Sequence, residues 1–202
     1  MGRPSGANYW GGNNSSFVTG AQKYFNDNDK PYFTDNDISY MKSSTMMRYQ
    51  SGYNYAKRNY AEITEGLSKG EDVFYFVSHS MGGEFSEGMA TYLIENGWNV
   101  NTMMHFNAWL PTEMYGTEGP IRVDLTTTDD IVQGLSIPVS GDRNIPNADY
   151  RIRKKSDKGF YFRHADLISN DEIWKGNQDW NSAMQTIRDL ISTNPNIKIF
   201  VK

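Results

Sequence analysis

A serine near the middle of the chain lies in a pattern suited to nucleophilic chemistry. Ser80 follows an apolar run and precedes an amphipathic stretch, and the small residues Ser78 and Gly82 stand two positions before and after it. A tight turn from strand to helix exposes such a serine in an unfavourable backbone conformation, and larger neighbours would collide there. Gly83 lets the helix pack close to the strand. Because a helix N-terminus carries partial positive charge, the backbone N–H of Met81 is predicted to stabilise an oxyanion.

Residues 76–83, Phe-Val-Ser-His-Ser-Met-Gly-Gly, resemble the nucleophile elbow of α/β-hydrolases, particularly the G-H-S-x-G-G form of lipases. The similarity is closest to class 3 (fungal-type) lipases and spans residues 47–165, with Ser78 in place of the first glycine of the motif. The resemblance implies hydrolysis of carboxylic esters, in particular lipid or phospholipid esters, through an acyl-enzyme on Ser80. A serine-rich turn without catalysis is the alternative interpretation.

A serine hydroxyl needs a base held by an acid, and the chain contains three histidines. His164 is the expected base because it alone lies in a loop downstream of Ser80, and in α/β-hydrolases the order is serine, acid, histidine. The resemblance makes His79 a packing residue, and His105, inside a strand-like run, is expected in the core. A surface position without catalysis is the alternative for His164.

The acid is expected in the stretch 123–132, Val-Asp-Leu-Thr-Thr-Thr-Asp-Asp-Ile-Val. Class 3 lipases carry their acid in a strand followed by a D-I/P-V motif, and the resemblance places Asp130 on that motif. Gln133 stands where the family usually has proline. Asp129 and Asp142 are alternative acids, and Asp129 would otherwise be an N-cap or a solvated carboxylate.

A second oxyanion donor is expected from the glycine-rich loop 9–14, with Gly12 and Asn13 as the candidates. Glycines allow backbone N–H groups to approach a substrate oxygen. A flexible terminal loop is the alternative. The apolar loop 109–116 fits an acyl pocket, a small lid or a cover for the sheet edge.

Strand and helix patterns alternate along the chain and predict the α/β class, as a three-layer α/β/α sandwich with a mostly parallel sheet in a small variant of the α/β-hydrolase fold. One domain is expected over 1–202, with residues 1–8 as a flexible linker or an artificial start. The predicted helices are 46–69, 83–96 and one ending at 194–195, and the predicted strands are 73–77, 100–106, 121–125, 150–155, 159–162 and 197–201, with 150–155 and 159–162 forming a hairpin.

The overall composition limits the classes of partner and cofactor that are expected. Its 202 residues carry a net charge of −4, so a nucleic-acid partner is not expected. Cysteine is absent, and no His/Asp/Glu cluster has ligand spacing, so neither a metal nor a cofactor is predicted. No apolar run has membrane-spanning length and the start lacks a signal peptide, which leaves contact with a membrane surface as the predicted membrane interaction and the location unassigned.

Two functional interpretations therefore compete. The first is an ester hydrolase acting on a small-molecule or lipid ester, either in metabolism or as the toxic module of a secreted effector. The second is a catalytically inactive hydrolase-like domain that binds a ligand within a larger secreted or cell-surface protein.

Overall fold

The computed structural model describes residues 6–27, 29–34, 44–128, 130, 144–158, 162–169, 171–175, 181–191 and 197–201. The α-helices are α1 (Ser16–Phe25), α2 (Thr45–Arg58), α3 (Tyr60–Ile63), α4 (Gly82–Glu95), α5 (Glu172–Lys175) and α6 (Asn181–Ile191). The strands are β1 (Tyr32–Phe33), β2 (Val73–His79), β3 (Asn99–Phe106), β4 (Ile121–Thr128), β5 (Tyr150–Lys155) and β6 (Ile197–Val201). Short 3-10 helices cover Gly6–Trp10, Pro111–Glu113 and Arg163–Ile168.

The described strands form one six-stranded sheet in the order β1-β6-β2-β3-β4-β5, and every neighbouring pair is parallel. The predicted α/β class and mostly parallel sheet are therefore confirmed. In register, His79 pairs with Phe106, which pairs with Leu125. The carboxyl ends of β2, β3 and β4 consequently meet at one edge of the sheet, which is where parallel α/β sheets carry their sites.

Both faces of β2 are covered, which explains its uninterrupted apolar sequence. Phe74 and Phe76 share a buried cluster with residues of α2 and α4. Val73, Tyr75 and Val77 share another cluster with residues of α1, α5 and α6. Since adjacent side chains of a strand point to opposite faces, helices contact β2 from both sides.

Helices α2 and α4 cross at backbone contact through two glycines. A Cβ added to Gly52 would overlap the carbonyl oxygen of Phe85, and one added to Gly88 would overlap that of Tyr49. The crossing fixes α4, and with it the turn that precedes this helix.

Two predicted elements differ from the structure. The helix expected over 46–69 is interrupted at Asn59, whose side chain donates a 2.9 Å hydrogen bond to the Tyr55 carbonyl. The backbone N–H of Asn59 still donates to the same carbonyl over 3.0 Å, and the residue leaves the helical conformation with a φ of −105°. The hydrophobic period carries no sign of this local change. The expected hairpin is wrong at Phe162, which is a turn residue, while 159–161 lie outside the described residues. The described partner of β5 is β4, in parallel. Within the described ranges, each helix is too short or too polar to cross a bilayer.

Candidate active site

Ser80 occupies a strained turn between β2 and α4. Its φ is 56°, in the left-handed region that residues other than glycine rarely adopt. Its N–H donates to the Phe106 carbonyl over 3.0 Å, and its own carbonyl accepts from Gly83 N–H and Trp109 N–H over 3.2 and 3.1 Å. Three hydrogen bonds from two segments thus hold the strained residue, as is typical of functional turns.

The small residues around Ser80 are required by close packing. A Cβ added to Gly83 would lie 3.1 Å from Met114 Cε and 3.5 Å from Ala108 Cβ. Ser78 is fully buried, and its Oγ lies 2.7 Å from His105 Nδ1. A larger side chain at Gly83 would displace Met114, and one at Ser78 would displace His105.

His164 and Asp130 form a hydrogen-bonded pair. His164 Nδ1 lies 2.7 Å from Asp130 Oδ2, and the carboxylate side chain has no exposed surface. Because an ionised carboxylate only accepts, Nδ1 carries the proton and Nε2 holds the lone pair of the neutral ring. His164 Nε2 is buried and has no hydrogen-bond partner within the described part of the chain. This is the tautomer and orientation that a general base requires.

The carbonyl of His164 is held from two sides. His79 Nε2 donates to it over 2.8 Å, and Asn107 Nδ2 donates over 2.7 Å. The rings of His79 and His164 lie 4.6 Å apart, so the candidate base packs against the residue that precedes Ser80. No hydrogen bond joins Ser80 Oγ to His164 Nε2, and such contacts in free enzymes often tighten only with substrate bound.

Asn107 is a site residue that the sequence reasoning missed. It directly follows β3, has a φ of 46°, and is fully buried. Its side chain accepts from Thr127 N–H over 2.6 Å and donates to Thr127 Oγ1 over 3.1 Å. A buried amide that braces two strand ends orients the groups around it. The available signal was a polar residue immediately after an apolar strand.

His79 makes hydrogen bonds through both ring nitrogens, in addition to the packing role predicted for it. Its Nδ1 accepts from the Tyr9 hydroxyl while its Nε2 donates to the His164 carbonyl. Burial, reinforced by the neighbouring His164, lowers the pKa of His79 to about 3. The ring therefore remains neutral, and both of its nitrogens serve as fixed hydrogen-bonding groups.

The predicted oxyanion donors are connected to the Ser80 turn in different ways. Met81 directly precedes α4, so its N–H belongs to the helix N-terminus, where intrahelical acceptors are lacking. Tyr9 links the loop containing Gly12 and Asn13 to the elbow through His79. The Gly12 N–H already donates to the Ala7 carbonyl over 2.7 Å, so it becomes available only if that bond breaks. Both loop donors stay predictions, and the alternative acids 129 and 142 lie outside the described residues.

A buried serine–histidine–carboxylate chain lies beside the Ser80 turn. Ser78 Oγ contacts His105 Nδ1, and His105 Nε2 lies 2.9 Å from Glu87 Oε1. Burial raises the Glu87 pKa, but the hydrogen bonds and charges of His105 and Arg122 outweigh it and lower the pKa to about 2. Ser78, His105 and Glu87 are all buried, which fits the core position expected for His105.

No family model, no curated protein and no solved structure matches the chain. No group of three or more His, Asp and Glu residues in the described ranges is arranged to hold a metal ion.

Proposed function

We propose that this protein is a serine hydrolase that cleaves carboxylic esters, built on a small α/β-hydrolase fold with helix layers on both faces of its sheet. One observation carries the proposal: the strained Ser80 and the Asp130-paired His164 lie at the same edge of the sheet. The ring of His79, the residue before Ser80, packs against the ring of His164. Strain at a serine is retained where a function needs it, and a buried carboxylate on an imidazole prepares that ring for proton transfer.

The reaction would follow the acyl-enzyme route. Ser80 Oγ attacks the ester carbonyl carbon as His164 Nε2 takes the hydroxyl proton, and Asp130 stabilises the imidazolium that forms. The oxyanion accepts from the Met81 N–H and from the loop at Asn13. Collapse of the tetrahedral intermediate breaks the ester C–O bond, and the leaving alcohol takes the proton from His164. Water then repeats the sequence, releasing the acid and restoring Ser80.

Exposed apolar groups near the site favour a lipid or phospholipid ester that the enzyme reaches at a membrane surface. Phe162 is 71% exposed and lies two residues before His164. Tyr115 is 50% exposed, and its N–H donates to Glu84 in the first turn of the helix that follows Ser80. Large apolar side chains that remain in contact with water beside a site are typical of surfaces that bind apolar ligands.

The test is labelling with a fluorophosphonate probe, which reacts only with an activated serine. We expect the wild type to be labelled and both Ser80→Ala and His164→Ala to lose labelling. Ser78→Ala is the matched control, because it removes the hydroxyl of the buried chain and should keep labelling. Hydrolysis of p-nitrophenyl esters of graded chain length then tests the apolar substrate class.

The opposite result is equally informative. If the folded wild type is not labelled, the catalytic proposal is overturned and the alternative of an inactive, ligand-binding hydrolase-like domain gains support. Circular dichroism of each protein establishes that it is folded. If labelling disappears in Ser78→Ala and persists in Ser80→Ala, the reactive serine is Ser78 and the assignment of Ser80 is wrong.

A further inference from the structure

We propose that Tyr9 and His79 are positioning residues that fix the imidazole of His164 through its backbone carbonyl. The proposal rests on the proposed function, since it assigns the two residues to that same site. Neither residue touches the reacting atoms in this scheme. Their contribution is to hold the base where Asp130 and the substrate can use it.

The hydrogen-bond directions along this chain follow from one fixed acceptor. The carbonyl oxygen of His164 can only accept, so His79 Nε2 must carry a proton and donate to it over 2.8 Å. In a neutral ring, Nδ1 then holds a lone pair and must accept. The hydroxyl of Tyr9 is its donor. Tyr9 therefore holds the ring of His79 from its Nδ1 side while Nε2 donates to the His164 carbonyl.

The opposite tautomer would act against the site. If His79 carried its proton on Nδ1, the lone pair of Nε2 would face the lone pairs of the His164 carbonyl at hydrogen-bond distance. Asn107 donates to the same oxygen over 2.7 Å, so the carbonyl would keep one of its two donors. The segment carrying His164 would be retained but held less firmly, which predicts a loss of rate rather than a loss of fold.

The linkage also joins two separate parts of the site. Tyr9 belongs to the 3-10 helix Gly6–Trp10, which leads directly into the loop that contains Asn13. The ring of Trp10 lies 6.4 Å from that of His79, and stacks on Phe17 at 5.2 Å, which anchors the segment to α1. The segment that leads to the predicted second oxyanion donor and the segment that carries the candidate base are thus connected through one histidine.

The test is a double-mutant cycle on acylation by the fluorophosphonate probe and on kcat for a p-nitrophenyl ester. Tyr9→Phe removes one neutral hydrogen bond and should slow both by about 5- to 10-fold with little change in KM. His79→Ala should slow them by about 10- to 100-fold, because a misplaced base loses reactivity steeply. His79→Gln should restore most of the rate, since its amide nitrogen reproduces the Nε2–H donor.

The coupling between the two positions separates an effect of Tyr9 that is transmitted through the His79 ring from general damage. Once Gln occupies position 79, its donor no longer depends on a hydroxyl, so adding Tyr9→Phe should cost less than about 2-fold. Tyr53→Phe is the matched control: it removes a hydroxyl that donates to Glu95 over 2.6 Å on the outer helices and should leave both rates unchanged. Full additivity of Tyr9→Phe and His79→Gln would overturn the proposal.

NMR spectroscopy of the histidine rings tests the proposal independently of catalysis. Nitrogen-15 NMR should show His79 protonated at Nε2 in the wild type and in Tyr9→Phe, with a shifted Nδ1 resonance in the variant and a shift or broadening of its His164 Nδ1–H signal. An unchanged His164 signal in Tyr9→Phe would overturn the proposal even in an active enzyme. The expected spectral changes in a protein that the probe does not label would support the positioning and overturn only the proposed hydrolysis.

Discussion

Replacing Ser80 by glycine should make the protein more stable than replacing it by alanine. Both changes remove the hydroxyl, and the two variants differ only by one methyl group. The turn holds this residue at a φ of 56°, in the left-handed region, where the methyl group of alanine lies too close to the backbone. This contact costs about 1–2 kcal/mol. Glycine adopts this conformation freely but loses about 0.5–1 kcal/mol more backbone entropy on folding. Ser80→Gly should therefore exceed Ser80→Ala in stability by about 0.5–1 kcal/mol.

A second pair of variants, at Ser51, is the control for the sign of this stability difference. Ser51 lies inside α2, where the backbone is helical, and glycine there should be about 1 kcal/mol less stable than alanine. The two glycine–alanine differences should thus have opposite signs and lie about 1.5–2 kcal/mol apart.

The assay is urea denaturation of the four variants, with the free energy of unfolding taken from the midpoint and slope. Neither variant of Ser80 should react with the fluorophosphonate probe. If Ser80→Gly is destabilised relative to Ser80→Ala as strongly as Ser51→Gly is relative to Ser51→Ala, the turn carries no strain. Ser80 would then lack the strained geometry that a nucleophile elbow requires.

Three further outcomes follow from the charged residues. Asp130→Asn should lower kcat by about 10⁴-fold without unfolding the protein, because His164 loses its fixed tautomer, and a rate within tenfold of wild type would contradict the pairing. Burial raises the pKa of Glu84 to about 8, so the folded protein retains a proton that the unfolded chain releases. Stability should therefore fall from pH 5 to 8 by on the order of a few kcal/mol more in wild type than in Glu84→Gln, and parallel urea-denaturation curves would refute this. Glu87→Gln should destabilise the fold by about 3–5 kcal/mol, since Arg122 remains buried without its counter-charge, and a change below 1 kcal/mol in urea unfolding would contradict it.

Local sequence signals predicted the parts of the site that are local in the chain. The apolar run before Ser80, the small residues around it and the helical period after it are neighbours in sequence, and the structure has strand, turn and helix at those positions. The α/β class follows from the same kind of signal. The end of α2 was missed because the backbone leaves the helical conformation at Asn59 while the hydrophobic period continues past that residue.

Contacts between distant segments could not be read in the same way. His164 and Asp130 are 34 residues apart, and their pairing was anticipated only through the order of residues in a resembling family. The roles of His79 and Asn107 depend on the register of β2 with β3 and on the path by which the chain returns to the sheet edge. No local pattern specifies either, since a buried histidine and a buried asparagine each have several ways to be satisfied.

The glycine crossing of α2 and α4 bears on how this protein would respond to saturation mutagenesis. Gly52 and Gly88 meet the opposing backbone, and a carbonyl group cannot rotate aside as a side chain can. A mutational scan would therefore record these two positions as intolerant of every other amino acid, as sharply as it records Ser80. Selection for activity alone would group all three as functional residues. A parallel scan for folded protein would separate them, because only the substitutions at Ser80 preserve abundance.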